Sequence, residues 1–266
     1  MSGLTLSQLW LFPVKSLAGF TRQQSRVTLF GLADDRRWMV VDATSGNFIS
    51  QRSHPEMCLI QVSLTPRGIA LQHPNGSVLE VTQPNGDSVR DVTVWGDHCR
   101  GWDAGDLAAE WLSEQLAVSC RLVYFPESEV RQVDLEYANT GDKTAFSDGF
   151  PLLLISQASL DDLNQRLESP VSMVRFRPNL VVSGCEPFAE DGWKRLRIGE
   201  ITFRVVKPCS RCAIPNVDPA TGKRGKEPIS TLSKYRRQGN KIFFGQNVIA
   251  DNTGEIEVGM PVEVIE

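Results

Sequence analysis

The sequence predicts a β-rich, mixed α+β protein, and three observations support this. Short apolar and β-branched runs recur along the chain, and turns such as His73-Pro-Asn-Gly76 and Gln83-Pro-Asn-Gly86 separate several of them. Apolar residues recur at helical spacing over 105–116 and 159–167, with a third short helix possible at 231–237. Because the strands are short and the turns closely spaced, the pattern favours a barrel or a strongly curled sheet.

The first half of the chain is predicted to consist mainly of strands. These cover residues 4–12, 24–30, 37–42, 48–51, 57–64, 69–72, 89–95, 99–102 and 121–125. Asp103 or Asp106 can cap the helix at 105–116. Residues 126–143 are polar, acidic and poor in aliphatics, which indicates an exposed connection. The boundary is therefore expected there, with domains at 1–125 and 126–266.

The second half follows the same pattern. Strands are expected at 152–156, 180–183, 201–206, 243–250, 254–258 and 262–265. Ser159-Leu-Asp-Asp162 resembles a capping box, with Asp where Glu or Gln is preferred. The segment 219–228 is rich in Gly, Pro and Lys, which is typical of a surface loop.

Composition excludes several classes of function. The chain has 266 residues, of which 41% are hydrophobic, enough for a sizeable core. A net charge of -4 without a basic tract argues against a nucleic-acid partner. There is no long apolar run, and the N-terminus lacks the features of a signal peptide. A cytoplasmic protein that does not enter membranes is expected.

The cysteines single out one segment. Six cysteines in a long chain without a signal peptide favour reduced thiols, and four of them are predicted to be buried hydrophobes: Cys58, Cys99, Cys120 and Cys185. Cys209 and Cys212 instead form a Cys-x-x-Cys beside the cationic Lys207 and Arg211, which favour the reactive, metal-binding thiolate. All three histidines lie in the first half, so a Cys2His2 zinc site is a poor second choice.

Eight short motifs occur along the chain. The second half contains Asp148-Gly149, Arg175-Phe-Arg-Pro-Asn179, Lys207-Pro-Cys-Ser-Arg-Cys212, Val217-Asp-Pro219, Lys226-Glu-Pro228 and Phe244-Gly-Gln246. The first half contains Phe12-Pro-Val-Lys-Ser16 and Asp35-Arg36. Together they resemble the MOSC domain, named for the C-terminal part of molybdenum cofactor sulfurase, and the β-barrel domain that precedes it. The chain looks similar in particular to the amidoxime-reducing group and its bacterial relatives.

This resemblance implies two β-barrel-like lobes with a molybdenum cofactor, Mo-molybdopterin, in the cleft between them. It assigns Cys212 as the catalytic metal ligand, while Cys209 would be structural or merely nearby, and a thiolate is a soft ligand suited to such a centre. A buried phosphate needs cationic or N–H partners. The cofactor contacts that the resemblance implies are Lys15, Ser16, Arg36, Asp148, Gly149, Phe150, Arg177, Ser210, Arg211 and Asn247. Arg177 precedes Pro178, so its backbone is expected to be extended.

The resemblance also implies a reaction, the reductive cleavage of N–O bonds. The substrates would be small N-hydroxylated molecules: amidoximes, hydroxylamines and N-hydroxylated bases. Electrons would come from a separate ferredoxin-, flavodoxin- or cytochrome-like protein with its reductase, because the ferredoxin cysteine spacing of some relatives is missing. No proton donor is identified, and Asp148 and the cofactor's own ligands are the candidates.

Two features of the motifs leave questions open. Relatives often have Thr just after the second cysteine, whereas this chain has Ala213-Ile-Pro-Asn216. The motif therefore does not indicate how the substrate pocket is formed. Asn247 stands where some relatives have Tyr. Two alternatives remain: a cofactor carrier without turnover, and a metal-free redox pair of Cys209 and Cys212.

Overall fold

The computed structural model describes residues 3–266, within which the chain forms nineteen strands and three α-helices. The strands of the first half are β1 (Thr5–Leu11), β2 (Phe20–Arg22), β3 (Gln24–Thr28), β4 (Gly31–Leu32), β5 (Trp38–Asp42), β6 (Gln61–Thr65), β7 (Gly68–Gln72), β8 (Val78–Thr82), β9 (Val89–Val94), β10 (Asp97–Asp103) and β11 (Cys120–Tyr124). Those of the second half are β12 (Leu152–Ser156), β13 (Leu180–Ser183), β14 (Arg195–Ile198), β15 (Ile201–Ser210), β16 (Arg237–Gln238), β17 (Lys241–Ala250), β18 (Gly254–Glu257) and β19 (Val262–Val264). The helices are α1 (Asp106–Leu116), α2 (Gln157–Gln165) and α3 (Ile229–Tyr235).

These strands form four sheets. The largest runs in the order β19-β14-β15-β17-β12-β13-β1-β2, with β16 paired to β17. A four-stranded sheet has the order β5-β11-β10-β9, and two three-stranded sheets have the orders β18-β3-β4 and β6-β7-β8. The β-rich class predicted from the sequence is confirmed. No helix within residues 3–266 is long and apolar enough to span a membrane.

The start of the chain lies in sheets that it shares with the second half. Strand β1 pairs antiparallel with β13, and β3 pairs antiparallel with β18. Leu6 and Leu9 are fully buried in the same hydrophobic cluster as Leu180 and Phe203, so burial of apolar surface favours this long-range pairing. The division at residue 125 remains a prediction, and the pairing places β1 to β3 against the second half.

Three local predictions were wrong. Residues 48–51 make only an isolated bridge, Val41 to Phe48, and 57–64 begins with the 3-10 helix Pro55–Leu59 instead of a strand. Helix α2 is capped by Ser156, whose Oγ accepts from the Ser159 amide at 3.1 Å, so the helix starts before Ser159.

Helix α1 and the connection after it also differ from expectation. The N-cap of α1 is Gly105, and no side chain caps the helix there. Asp103 instead accepts from the Gly105 amide through Oδ1 at 2.8 Å. The segment 126–143, predicted to be exposed, buries Arg131 and Val133. The polar composition of the segment could not predict the burial of Arg131, because a polar residue is buried only where the fold supplies its hydrogen-bond partners.

Candidate functional site

All the site residues predicted from the sequence line one cleft of about 780 Å³, a volume that includes its open mouth. The cleft is also lined by residues outside the predicted metal ligand and cofactor contacts: Arg52, Ser147, Leu152, Leu153, Phe176, Asn179, Cys209 and Ile214. The geometry brings the predicted residues together, while their roles towards a cofactor remain predictions.

Neighbouring strands of the large sheet deliver most of these residues. Lys15 follows β1, Arg177 lies shortly before β13, and residues 148–150 precede β12. Asn247 lies within β17, and residues 210–212 end and follow β15. The order β15-β17-β12-β13-β1 is continuous in the sheet. Residues far apart in sequence therefore meet because their strands are hydrogen-bonded neighbours.

The cysteine motif is largely strand rather than loop. Strand β15 was predicted to end at residue 206, but it continues to Ser210. Its register with β17 shifts between Val205 and Lys207 and again between Pro208 and Ser210. Proline cannot donate to a ladder, and such irregularities re-aim side chains. Cys209 thus lies within the irregular end of this strand, and Cys212 lies just after it.

The two thiols have different surroundings. Arg52 Nη2 lies 3.2 Å from Cys212 Sγ, whereas Arg211 Nη1 lies 3.1 Å from Cys209 Sγ. Cys209 also packs against the hydrophobic cluster that contains Phe176. Both cysteines are free. Both half-buried cysteines therefore line the cleft beside a guanidinium, and Cys209 differs in that it also packs against this cluster.

Arginine and asparagine side chains join the front of the chain to the second half. Arg36 Nη2 donates to the Arg177 carbonyl at 2.9 Å, and Arg36 Nη1 donates to Asn179 Oδ1 at 3.0 Å. Arg177 Nη1 donates to the Leu17 carbonyl at 2.7 Å. The neighbouring Arg37 instead donates to the Phe125 carbonyl, outside the cleft. Asn179 is fully buried and belongs to this network, although the sequence suggested it only as part of a motif.

Three cleft residues have left-handed backbones. The φ angles are +70° at Ser16, +48° at Arg36 and +56° at Arg177. The extended backbone predicted for Arg177 is therefore wrong: its ψ is +45°, which still avoids the right-handed helical region that the following proline disfavours. Non-glycine residues rarely adopt this conformation, and such strain clusters at functional sites.

Lys15, Asp148 and Arg52 form a charged chain across the cleft. Lys15 Nζ lies 2.5 Å from Asp148 Oδ1 and donates to the Phe146 carbonyl at 2.8 Å, and Arg52 Nη2 lies 3.3 Å from Asp148 Oδ2. Partial desolvation in the cleft opposes ionisation of the half-exposed Asp148 carboxyl, but the charges of Lys15 and Arg52 outweigh it and hold its pKa well below the usual range. Asp148 is therefore ionised at neutral pH, which argues against the expectation that it donates a proton.

Arg131 positions the loop that carries Asp148. Its side chain is only 4% exposed, and it donates to the carbonyls of Ala145, Ser147 and Asp148 and to the carboxylate of Asp97. Removal of Arg131 would leave buried carbonyls without donors. No motif marks this residue, because its importance comes from contacts made within the folded loop.

Lys15 predicts a pH dependence for the cofactor-free protein. Burial lowers its pKa from 10.5 to about 8, despite the opposing charge of Asp148. The unfolded chain then holds this proton over a pH range where the folded chain has released it, so the stability contributed by Lys15 rises from about pH 8 to about pH 10.5. Urea midpoints of wild type and Lys15→Met should diverge over this range in favour of wild type. A constant difference would contradict this.

The chemistry of the cleft fits an anionic cofactor that supplies further metal ligands. Three buried arginine nitrogens have no hydrogen-bond partner among residues 3–266: Arg52 Nη1, Arg177 Nη2 and Arg211 Nε. Unpaired N–H groups on cations suit a phosphate. Across the same residues, no three His, Cys, Asp or Glu side chains cluster to hold a metal ion. A metal bound to Cys212 would therefore take its other ligands from a cofactor.

Comparisons with known proteins show the family of this chain. The family described as MOSC N-terminal beta barrel domain matches residues 3–119, and the MOSC domain matches residues 141–263. These matches define the class, a MOSC-domain protein. Mitochondrial amidoxime-reducing component 1 is 37% identical in Mus musculus, over 98% of this chain and 82% of that protein. The Homo sapiens protein is 36% identical, over 98% and 83%.

A more distant relative is molybdenum cofactor sulfurase from Oryza sativa subsp. japonica. It is 34% identical over 92% of this chain, which spans only 32% of that longer protein. The chain therefore belongs to the MOSC family that includes the mitochondrial amidoxime-reducing components.

Proposed function

We propose that this protein is a molybdenum-cofactor-dependent reductase of N-hydroxylated compounds that receives its electrons from a separate protein. The observation that carries the proposal is the position of Cys212 in a cleft where cationic side chains hold unpaired N–H groups. When bound, the molybdenum centre supplies the two-electron redox chemistry, and the protein binds, orients and tunes it.

The residues of the chain would divide this work according to their chemistry. Cys212 offers the soft thiolate that a molybdenum centre accepts. Arg36 and Arg177, held together by the 2.9 Å contact between them, would bind the cofactor phosphate. The ionised Asp148 can only accept hydrogen bonds, so it would hold N–H groups of the pterin while it neutralises Lys15 and Arg52.

The proposed reaction removes one oxygen. An amidoxime, two electrons and two protons give an amidine and water, and the N–O bond is the one that breaks. The names of the relatives support amidoximes as substrates, with hydroxylamines and N-hydroxylated bases as further members of the class. The electrons come from a separate carrier with its reductase, and a cytoplasmic location remains part of the proposal.

Turnover of benzamidoxime tests this function. Protein from a host that makes the cofactor should form benzamidine with a reduced viologen dye as the electron donor. NADH alone should support no turnover, and adding a reductase with a small one-electron carrier should restore it. Full molybdenum loading without dye-driven turnover would favour a cofactor carrier. Robust NADH oxidation by the chain alone would contradict the need for a separate donor.

A further inference from the structure

Arg52 lies between Cys212 and Asp148 in the cleft, although no sequence motif marks it. Its Nη2 is 3.2 Å from Cys212 Sγ and 3.3 Å from Asp148 Oδ2. It comes from the loop before the 3-10 helix Pro55–Leu59, in the first half of the chain. Arg52 therefore supplies a contact to the cysteine thiol from the opposite half of the sequence.

Two aromatic rings hold this arginine in place. The Arg52 guanidinium stacks on Trp95 at 4.5 Å from the ring centroid, and Trp95 packs against Phe48 with centroids 5.2 Å apart. The Phe48 ring lies 5.2 Å from Lys15 Nζ. Trp95 and Phe48 thus contact Arg52 and Lys15, respectively, which are the two cations that contact Asp148. Cation–π contacts of this kind are attractive.

The position of Trp95 is not what stability alone would favour. Trp95 lies in the turn between β9 and β10 with a φ of +58° and remains 50% exposed. A bulky residue in left-handed backbone is strained, and exposure forgoes part of its burial energy. The backbone of Arg52 is anchored as well, because Arg224 donates to its carbonyl at 2.7 Å. Several costly or specific contacts thus converge on Arg52.

A guanidinium that donates to a thiolate has two physical effects. The charge-assisted hydrogen bond fixes the direction of the sulfur, and it draws electron density away from the bond to a metal. Hydrogen bonds to ligand sulfurs are an established means of setting the reduction potential of a metal centre. Arg52 is the group that the geometry places to exert both effects on Cys212.

We propose that Arg52 is a positioning residue, held by Trp95, that orients the Cys212 thiolate for its metal and sets the potential of that centre. This inference rests on the proposed function only for the presence of the metal. It adds a role for two residues, Arg52 and Trp95, that neither the motifs nor the predicted site includes.

The test compares Arg52→Met, Arg52→Lys, Trp95→Ala and Trp95→Phe with wild type. Arg52→Met should retain the cofactor about 10- to 100-fold more weakly, as is typical when a group that orients a metal ligand is lost. Its remaining molybdenum should show an altered paramagnetic signal and a more negative midpoint potential. Arg52→Lys should lie between Arg52→Met and wild type in cofactor retention and midpoint potential, since it keeps the charge but not the planar fork. Trp95→Phe should stay closer to wild type than Trp95→Ala.

Arg166→Met is the matched control. Arg166 also stacks on an aromatic ring, Tyr235 at 4.4 Å, and pairs with Asp162 at 2.8 Å, but it does not line the cleft. It should leave metal content and potential unchanged. A folded, loaded Arg52→Met with the wild-type signal and potential would overturn this inference alone. Wild-type protein that binds no molybdenum would overturn the proposed function, and this inference with it.

Discussion

Cys212→Ser is expected to abolish viologen-driven turnover and to weaken molybdenum binding. A serine oxygen is a harder ligand than a thiolate, so it changes the electronics of the metal as well as its retention. Cys209→Ser should keep much of both, because Cys209 packs against a hydrophobic cluster and receives the Arg211 guanidinium. Molybdenum per chain and initial rates with benzamidoxime measure the two effects.

The same pair of variants separates the metal site from a thiol redox pair. A disulfide mechanism needs both sulfurs, so it predicts equal losses in the two variants and no dependence on molybdenum. The contacts of Cys209 and Cys212 with different arginines favour unequal roles. Loss of turnover in Cys209→Ser with full activity in Cys212→Ser would show that the ligand has been assigned to the wrong cysteine.

The double variant Arg177→Ala, Lys15→Ala is expected to fold but to lose most of its cofactor. A charge-assisted contact with a desolvated phosphate is worth about 2 kcal/mol, so each lost contact should weaken retention roughly 30-fold. Arg177→Ala should have the larger effect, because Arg177 has a nitrogen without a partner whereas Lys15 already has Asp148 and the Phe146 carbonyl. Pterin and molybdenum content after gel filtration measure the loss.

The folded state should tolerate this change. Burial and the nearby charge of Arg36 lower the pKa of Arg177 to about 9, so its charge is held at a cost in the cofactor-free protein. Removing Arg177 relieves this cost, although it also removes the hydrogen bond to the Leu17 carbonyl. Asp148 keeps Arg52 as a partner when Lys15 is removed. Arg175→Ala is the matched control. Arg175 lies two residues before Arg177 in the same motif and pairs with Asp218, so its removal should leave the cofactor bound.

The sequence predicted the parts of the site that belong to local motifs. Lys15, Arg36, Arg177 and Cys212 all lie in short motifs near strand ends, so their spacing stays recognisable. Arg52 reaches Cys212 across 160 residues of sequence, and only the packed structure brings them together. Local pattern carries no information about such a contact.

The fold shows the same limit. Turns and short apolar runs indicated a β-rich chain because they follow from local backbone preferences. The pairing of β1 with β13 and of β3 with β18 depends on which buried faces match over long sequence separations. The left-handed backbone of Arg177 was also missed, because the proline rule excludes one region without choosing between the others.

The most direct measurement is the amount of molybdenum and phosphopterin bound per chain in protein from a cofactor-competent host. Wild type should carry both in equal amounts, and the Arg177→Ala, Lys15→Ala variant should be depleted of both with an unchanged circular dichroism spectrum. Full molybdenum occupancy in the folded double variant would show that the cofactor does not bind in this cleft. Wild-type protein without molybdenum would contradict the proposed function itself.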